Sequence, residues 1–359
     1  MPRFSGMRRA LCGLALAAVL LLFSATPGTA RPADPPRGFF GAVPQGPLTA
    51  ADFARMRGVI GTLRIPVFWP QIEPRPGEFD FGELDWTVSA AAAVGVRVLP
   101  FVYGTPLWLA AEPALPPLTA SAQRAWAGFL RLLVRRYGPS GDAWQAHSSP
   151  LPVRAWQIWN EPNFLLFWRP RPSPAGYARL LGVSSRAIRR VDPGARIVTA
   201  GVAPVEAGML PWTFLRKLFA TPGVGRQIDM VAVHPYAIQL SDVAYQVRMA
   251  RRAMARAGLA RTPLLVSELG IASGARLPTG FNRGARGQAA FLRRVYGMLL
   301  QQRRRWRIAG VDWYAWQDMP QPDPHCVFCQ FAGLFDRADD PKPAWWALRR
   351  VATSLPPRV

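Results

Sequence analysis

The stretch that decides the fold is WQIWNEPN, residues 156–163, an apolar and β-prone run that ends abruptly in Asn-Glu-Pro. A second hydrophobic run, LLVSE at residues 264–268, also ends in a glutamate. Burying a carboxylate at the end of such a strand costs free energy unless the group has a partner or a chemical task. The two runs therefore predict that Glu161 and Glu268 face one pocket.

Hydrophobic runs of this kind alternate with amphipathic stretches along most of the chain. The 359 residues, 50% of them hydrophobic, are enough for one (β/α) barrel or two ordinary domains. Strands are predicted at residues 38–43, 62–69, 96–103, 153–160, 196–202, 230–234, 264–268 and 309–316. Helices are predicted at residues 51–59, 84–94, 121–137, 174–191, 211–219, 242–257, 287–304 and 344–351.

Eight strand–helix units in tandem predict parallel strands that are buried on both faces. Eight units close into a (β/α)₈ barrel, so we expect a single barrel domain over residues 38–359. The alternative is a doubly wound open sheet. It is disfavoured because the first strand, GFFGAV, leads to Pro44 without a glycine-rich phosphate loop.

The N-terminal residues have the pattern of an export signal. Basic residues come first, followed by an uncharged apolar run at residues 11–23 and small residues up to Ala30; the basic residues are Arg3, Arg8 and Arg9. This order predicts a signal peptide at residues 1–30 and a Pro-rich leader at residues 31–37. An uncleaved membrane anchor is the alternative, although the apolar run is short for a membrane span. We therefore expect a secreted or cell-envelope protein.

Cysteine usage agrees with export. Cys12 would leave with the signal peptide, so only Cys326 and Cys329 remain, an even number in an oxidising compartment. They predict a local disulfide. The alternative is a metal site built from His325 and the two cysteines, which is disfavoured because zinc needs a fourth ligand and none is visible nearby. We expect no metal and no cofactor.

The chain is strongly basic, with 44 Lys and Arg against 21 Asp and Glu and a formal charge of +23. Most of the cations are arginines that recur at helical spacing opposite apolar positions, which predicts a solvated outer face. Such a surface favours electrostatic contact with anionic envelope polymers. A nucleic-acid partner is not expected, because export is predicted and no recognisable binding motif accompanies the charge.

Polar and aromatic residues cluster at the predicted strand ends, where a (β/α)₈ barrel carries its active site. They are Arg64, Trp69, Tyr103, Thr105, Trp108, Asn160, Glu161, His234, Tyr236, Glu268, Trp316 and Asp318. Aromatic rings suit the C–H face of a sugar, and fixed polar groups suit its hydroxyls. The pattern predicts an oligosaccharide, polysaccharide or glycoside as the substrate.

These motifs resemble those of the clan-A retaining glycoside hydrolases. The shared features are Asn-Glu-Pro on the fourth strand, glutamate on the seventh, Arg-Ile-Pro on the second, His-Pro-Tyr on the sixth and Trp on the eighth. NEPN followed by FW, within residues 160–168, is most similar to the family 39 β-xylosidases and α-L-iduronidases. PRPGEFDF at residues 74–81 and TPLWL at residues 105–109 are also similar. One departure is Tyr103, where many clan members have histidine.

The resemblance implies that Glu161 is the general acid/base and Glu268 the nucleophile of a retaining mechanism. Crowding and burial are expected to raise the pKa of Glu161. Arg64 and Tyr236 are expected to stabilise the negative charge of Glu268. Substrate contacts are expected from Arg64, Trp108, Asn160, His234, Tyr236 and Trp316, with Asn160 at the 2-hydroxyl and Trp316 as the floor under the sugar.

The sequence thus predicts an exported retaining glycosidase that cleaves a β-linked O-glycosidic bond. One alternative is a non-catalytic barrel that binds wall polysaccharide through its basic surface. Another is a transglycosylase, which forms the same covalent intermediate but passes the sugar to an acceptor other than water.

Overall fold

A computed structural model of the chain describes residues 35–36, 38–145, 147–274, 280–321 and 326–354. The predicted signal peptide at residues 1–30 and most of the predicted leader lie outside these residues. Both assignments stay predictions. None of the helices among the described residues is long and apolar enough to cross a lipid bilayer.

The described residues alternate between strands and helices. The strands are β1 Phe40–Val43, β2 Thr62–Phe68, β3 Arg97–Tyr103, β4 Ala155–Ile158, β5 Arg196–Thr199, β6 Val231–Val233, β7 Leu264–Leu269 and β8 Ile308–Tyr314. The α-helices are α1 Ala50–Met56, α2 Trp69–Ile72, α3 Gly82–Ala93, α4 Ala120–Tyr137, α5 Pro174–Arg189, α6 Pro211–Phe219, α7 Leu240–Arg256, α8 Gly284–Trp306 and α9 Pro343–Thr353. Short 3₁₀ helices cover Asp142–Trp144, Val224–Arg226 and Val327–Phe331.

All eight strands form one parallel sheet in the order β5-β4-β3-β2-β1-β8-β7-β6. The two ends of this order meet, because parallel bridges join Val198 to Met230 and Val202 to Val233. The Thr199 amide also donates to the Met230 carbonyl at 3.0 Å. The sheet therefore closes into a (β/α)₈ barrel, as the sequence predicts, and the open doubly wound sheet is excluded.

Each predicted strand and helix overlaps an observed one, with ends that differ by a few residues. The short helix α2 was not predicted, because the β-prone residues 62–69 place Trp69 at the end of the second strand. In the structure β2 ends at Phe68 and Trp69 begins α2, with Pro70 in its first turn. Proline suits this place because a first-turn amide has no partner within the helix.

The core lies inside the barrel and between the barrel and its helices. Helix α4 illustrates the pattern: Trp126, Phe129, Leu130 and Leu133 are buried while Arg135 is exposed. The carboxyl ends of the strands all lie at one end of the barrel, because every strand pairing is parallel. Residues at those ends therefore converge on one site.

Candidate active site

Glu161 is placed by a sharp change of backbone direction after β4. Trp159 has φ of 71° and Glu161 has φ of 38°, a left-handed conformation that costs a side chain on the order of 1 kcal/mol. The Trp159 indole, fully buried, compensates by donating to the Phe167 carbonyl at 2.7 Å. This turn directs the carboxyl of Glu161 over the end of the barrel.

Glu268 is placed by an irregularity in β7. The pairing of β7 with β8 shifts register between Val266 and Leu269. Regular alternation would point adjacent side chains to opposite faces of the sheet, and a bulge relaxes this restriction. As a result Ser267 and Glu268 both make hydrogen bonds with groups at the centre of the barrel.

The two carboxyl groups lie close together. Carboxylate oxygens of Glu161 and Glu268 and a ring nitrogen of His234 are all within 4.8 Å of one another. Both glutamates are buried, with 8% and 7% of their surface exposed. A retaining glycosidase separates its carboxyl groups by about 5 Å, whereas an inverting enzyme needs roughly 6.5–9.5 Å to admit a water molecule. The observed spacing fits the retaining arrangement.

Arg64 organises the floor of the site from β2. It is fully buried, and its Nη1 donates to Glu268 while its Nη2 donates to Asn160 Oδ1 at 2.8 Å. Its Nε donates to Gln157 Oε1 at 2.6 Å, and the guanidinium lies 3.8 Å from the centre of the Phe101 ring. The guanidinium thus fixes one catalytic candidate and a neighbour of the other, and supplies the charge that a buried carboxylate requires.

The second oxygen of Glu268 accepts a hydrogen bond of 2.7 Å from the Tyr236 hydroxyl. Burial and the nearby Glu268 charge raise the pKa of Tyr236 well above its usual value, so the phenol remains a donor. Glu268 therefore has a donor on each oxygen. This environment stabilises the ionised carboxylate that a nucleophile needs.

Glu161 has a different environment. Its Oε1 lies 2.7 Å from His234 Nδ1, and burial raises the pKa of Glu161 to about 7, against the opposing influence of Arg64. Burial also lowers the pKa of His234 to about 3, so the imidazole is neutral. A carboxyl with a pKa near 7 can donate a proton in one step and accept one in the next.

The site opens into a cavity of about 1140 Å³. Asn160, Glu161, Tyr236 and Glu268 line it, while Arg64 and His234 are fully buried beneath. Its walls are largely aromatic and apolar; the aromatic lining residues are Phe68, Phe101, Tyr103, Phe164, Phe167, Tyr236, Phe281, Tyr314 and Phe328. Most of these rings come from loops or strand ends that the sequence analysis did not single out.

Trp316, which was expected to form the floor under the sugar, does not line the cavity among the described residues, and its substrate contact stays a prediction. Trp316 is buried, and its indole donates to Asp52 at 2.8 Å. β8 ends at Tyr314, and the Trp316 amide then donates to the carbonyl of Val43, the last residue of β1. Tyr314 is the β8 aromatic residue that lines the cavity.

Trp108 also lies away from the expected position. It is half-buried, its indole donates to the Glu73 carbonyl at 3.1 Å, and its ring meets the edge of Trp69. It is not among the cavity-lining residues in the part of the chain that the structure describes. Tyr103, which departs from the histidine of many clan members, does line the cavity.

Cys326 and Cys329 form the expected disulfide, and both line the cavity. The bond excludes the alternative metal site for this cysteine pair; His325 lies outside the described residues. Between the cysteines, Phe328 packs on Tyr236 and stacks on Phe281, with ring centres 5.3 and 5.2 Å apart. The disulfide loop therefore forms part of the cavity wall.

Glu161, His234 and Glu268 are close enough to hold a metal ion. The guanidinium of Arg64, however, already donates to Glu268 from beneath. A metal at this point would face that cation across the same carboxylate. The arrangement favours acid/base and nucleophilic chemistry by the glutamates themselves.

No family model and no curated protein sequence matches the chain. Solved structures do match its fold. A family 39 glycoside hydrolase from Bacteroides cellulosilyticus WH2 aligns at 22% identity and a TM-score of 0.65, over 88% of this chain and 63% of that one. A family 39 β-xylosidase from Caulobacter crescentus aligns at 20% identity and 0.66, over 92% and 74%.

A family 5 enzyme, GH5_18 from Bifidobacterium longum in complex with Manβ1-4GlcNAc, aligns at 17% identity and a TM-score of 0.65, over 89% of this chain and 79% of that one. The chain spans 63% of the length of the first neighbour, and all three identities are below 25%. The resemblance expected from the sequence is thereby confirmed at the level of the fold: the chain has the same (β/α)₈ barrel fold as these glycoside hydrolases.

Proposed function

We propose that this protein is an exported retaining glycoside hydrolase that cleaves β-linked O-glycosidic bonds by double displacement. The observation that carries the proposal is the spacing of the two glutamates, whose oxygens lie within 4.8 Å. Glu268 attacks the anomeric carbon while Glu161 protonates the departing oxygen. Glu161 then takes a proton from water, the hydroxide attacks the same carbon, and Glu268 is released.

The surroundings of each glutamate support this division of roles. Arg64 and Tyr236 both donate to Glu268, which suits an ionised nucleophile. Burial raises the pKa of Glu161 to about 7, which suits a group that is first acid and then base. Asn160 accepts from Arg64 through Oδ1, which leaves its Nδ2 to donate to the 2-hydroxyl of the sugar.

We infer the substrate class from the cavity and from the neighbours. Aromatic walls over a polar floor suit a sugar with a further sugar or an apolar aglycone attached. One neighbour is a β-xylosidase and another was solved with a mannosyl disaccharide, so β-xylosides and β-mannosides are the first candidates. Export is supported by the N-terminal sequence pattern and by the Cys326–Cys329 disulfide.

The anomeric configuration of the products formed with and without azide tests the proposed roles of Glu161 and Glu268 in one experiment. Wild-type enzyme should release the sugar from aryl β-glycosides with retention of configuration. Glu268→Ala should lose activity by about 10⁴-fold or more, and azide should restore turnover as an α-glycosyl azide, because only one inversion then occurs. Glu161→Ala should instead give a β-glycosyl azide, because the covalent intermediate still forms.

Glu206→Ala is the matched control, since Glu206 is an exposed acid that also lines the cavity. It should retain activity within a few-fold. Full activity in both the Glu161 and Glu268 variants, or no turnover of any glycoside by the wild type, would overturn the proposal. Added sugar acceptors would reveal the transglycosylase alternative as longer products instead of free sugar.

A further inference from the structure

A continuous set of hydrogen bonds runs through the barrel interior and links the two glutamates. Two of its members, Gln157 on β4 and Ser267 on β7, have no role in the mechanism above. Both are fully buried, as are Arg64 and His234. Buried polar side chains of this kind are retained where their hydrogen bonds specify an arrangement.

Arg64 determines which group donates and which accepts in these hydrogen bonds, because its guanidinium has only donors. Its Nε lies 2.6 Å from Gln157 Oε1, so that oxygen must be the acceptor. The amide of Gln157 is therefore fixed with its Nε2 group turned the other way. Nε2 donates to the Thr199 carbonyl at 3.0 Å and to Ser267 Oγ at 3.4 Å.

The hydrogen bond from Gln157 also orients the hydroxyl of Ser267 relative to His234. Because Ser267 Oγ accepts from Gln157, its own hydrogen is free to point at His234 Nε2, which lies 3.0 Å away. With the Ser267 hydrogen in that direction, His234 Nε2 is the acceptor. A neutral imidazole with a bare Nε2 carries its proton on Nδ1.

The opposite edge of the same ring faces the general acid. His234 Nδ1 lies 2.7 Å from Glu161 Oε1, so an Nδ1–H group donates to that oxygen. Oε1 is then an acceptor in both catalytic steps. The exchangeable proton of Glu161 is left to the other oxygen, Oε2.

We propose that Ser267, oriented by Gln157, is a positioning residue that fixes the tautomer of His234 and thereby keeps the acid proton of Glu161 on Oε2, where it can reach the leaving group. In the opposite tautomer Nδ1 would accept, and Glu161 would donate its proton to the histidine instead of the substrate. This inference rests on the proposed function for its catalytic consequence, but the tautomer itself can be measured without any activity.

Space around the histidine supports a fixed ring position. A Cβ on Gly201 would lie 2.0 Å from His234 Nε2, so glycine at this point leaves room for the ring. The low pKa of His234, about 3 because of burial, keeps the ring neutral over the whole range in which Glu161 titrates. A neutral ring in a fixed position has two tautomers, and the bond from Ser267 selects one.

The first measurement is the tautomer of the wild-type protein, read from the ¹⁵N shifts of protein labelled at histidine. The chain has three histidines, and His234→Gln assigns the signal. We expect a protonated Nδ1 and a bare Nε2 for His234. A protonated Nε2, or protonation of both nitrogens at neutral pH, would overturn the inference even if the enzyme is fully active.

Ser267→Ala and Ser267→Thr form the matched pair. The alanine variant should lose the single tautomer and show a mixed or reversed signal, whereas threonine keeps the hydroxyl and should keep the wild-type signal. An unchanged tautomer of His234 in Ser267→Ala would show that Ser267 does not fix the tautomer, and would contradict the inference. Should the alanine variant fail to fold, the wild-type tautomer still decides the inference.

Kinetics separate this role from a general loss of structure. For aryl glycosides with poor leaving groups, kcat/KM of Ser267→Ala should fall on the order of 10-fold to 100-fold, as for other residues that orient a catalytic group. For an activated leaving group that needs no protonation, kcat/KM should change by less than about two-fold, because kcat/KM reports the first step and acid catalysis contributes little there. Equal losses for both substrates would contradict the positioning role. Complete inactivity of the wild type would instead refute the proposed function and leave the tautomer measurement valid.

Discussion

The ends of β4 and β7 carry the same residue type in two contrasting environments. At the end of β7, Glu268 receives a hydrogen bond from a buried guanidinium and one from a phenol. After β4, Glu161 faces a neutral imidazole, and burial raises its pKa to about 7. The difference shows how one barrel places two glutamates within 4.8 Å of each other in environments that suit different proposed roles. Partners supplied by other strands assign the roles.

Removing Arg64 should have the largest effect on this contrast. Arg64→Met leaves Glu268, Asn160 and Gln157 without their donor in a buried site, so the free energy of unfolding should fall by about 3–5 kcal/mol. Chemical denaturation measures this loss, and Arg135→Met on the exposed face of α4 is the control. An Arg64→Met variant as stable as the control would show that the hydrogen bonds of the guanidinium to Glu268, Asn160 and Gln157 do not stabilise the fold.

Removing the Tyr236 hydroxyl should have a smaller effect that is confined to the Glu268 side. Tyr236→Phe deletes one hydrogen bond to a charged group, which contributes about 1.5–3 kcal/mol, so kcat should fall on the order of 10-fold to 100-fold. The measurement is steady-state kinetics on an aryl β-glycoside, with Tyr245→Phe, an exposed tyrosine, as the control. A loss seen only in KM would mean that Tyr236 binds substrate and does not support the nucleophile.

The pH profile tests the Glu161 side. Because the pKa of Glu161 is raised to about 7, the acid form is present below that pH and is lost as the pH rises through it. We expect kcat/KM to decline above pH 7 by about ten-fold per unit. Initial rates between about pH 5 and 9 measure this decline of kcat/KM, which should be absent in Glu161→Gln. A plateau extending beyond about pH 9 would mean that Glu161 is not the acid.

Much of the site follows from strand-end positions together with the family resemblance, although Arg64 lies early in β2. Glu161, Asn160, His234, Tyr236, Glu268 and Arg64 were all predicted from the sequence, and the structure brings them together. The prediction succeeds because all strands of a parallel barrel end on the same side. A residue that follows any strand is therefore expected near the residues that follow the other strands. Trp316 lies apart from this cluster, because β8 ends two residues before it.

The loop-borne aromatic residues could not be predicted in this way. Phe328 and Phe281 reach the cavity from the disulfide loop and from the loop after β7, and nothing in their local sequence indicates a direction. Gln157 and Ser267 were missed for a different reason. Each lies inside a strand that reads as continuously apolar, where a single polar residue gives no hint of the partners it will meet.

The amino-acid sequence by itself determined the (β/α)₈ barrel and the pair of glutamates, because periodic burial and strand-end chemistry are local properties of a chain. The resemblance already assigned Arg64 and Tyr236 to Glu268, whereas only the tertiary structure placed Glu161 against a neutral histidine and joined Gln157 and Ser267 to the site. These groups come from β2, β4 and β7 and from the turn beyond β6. Their distances depend on how the sheet closes and on a register shift in β7 that the local pattern does not encode.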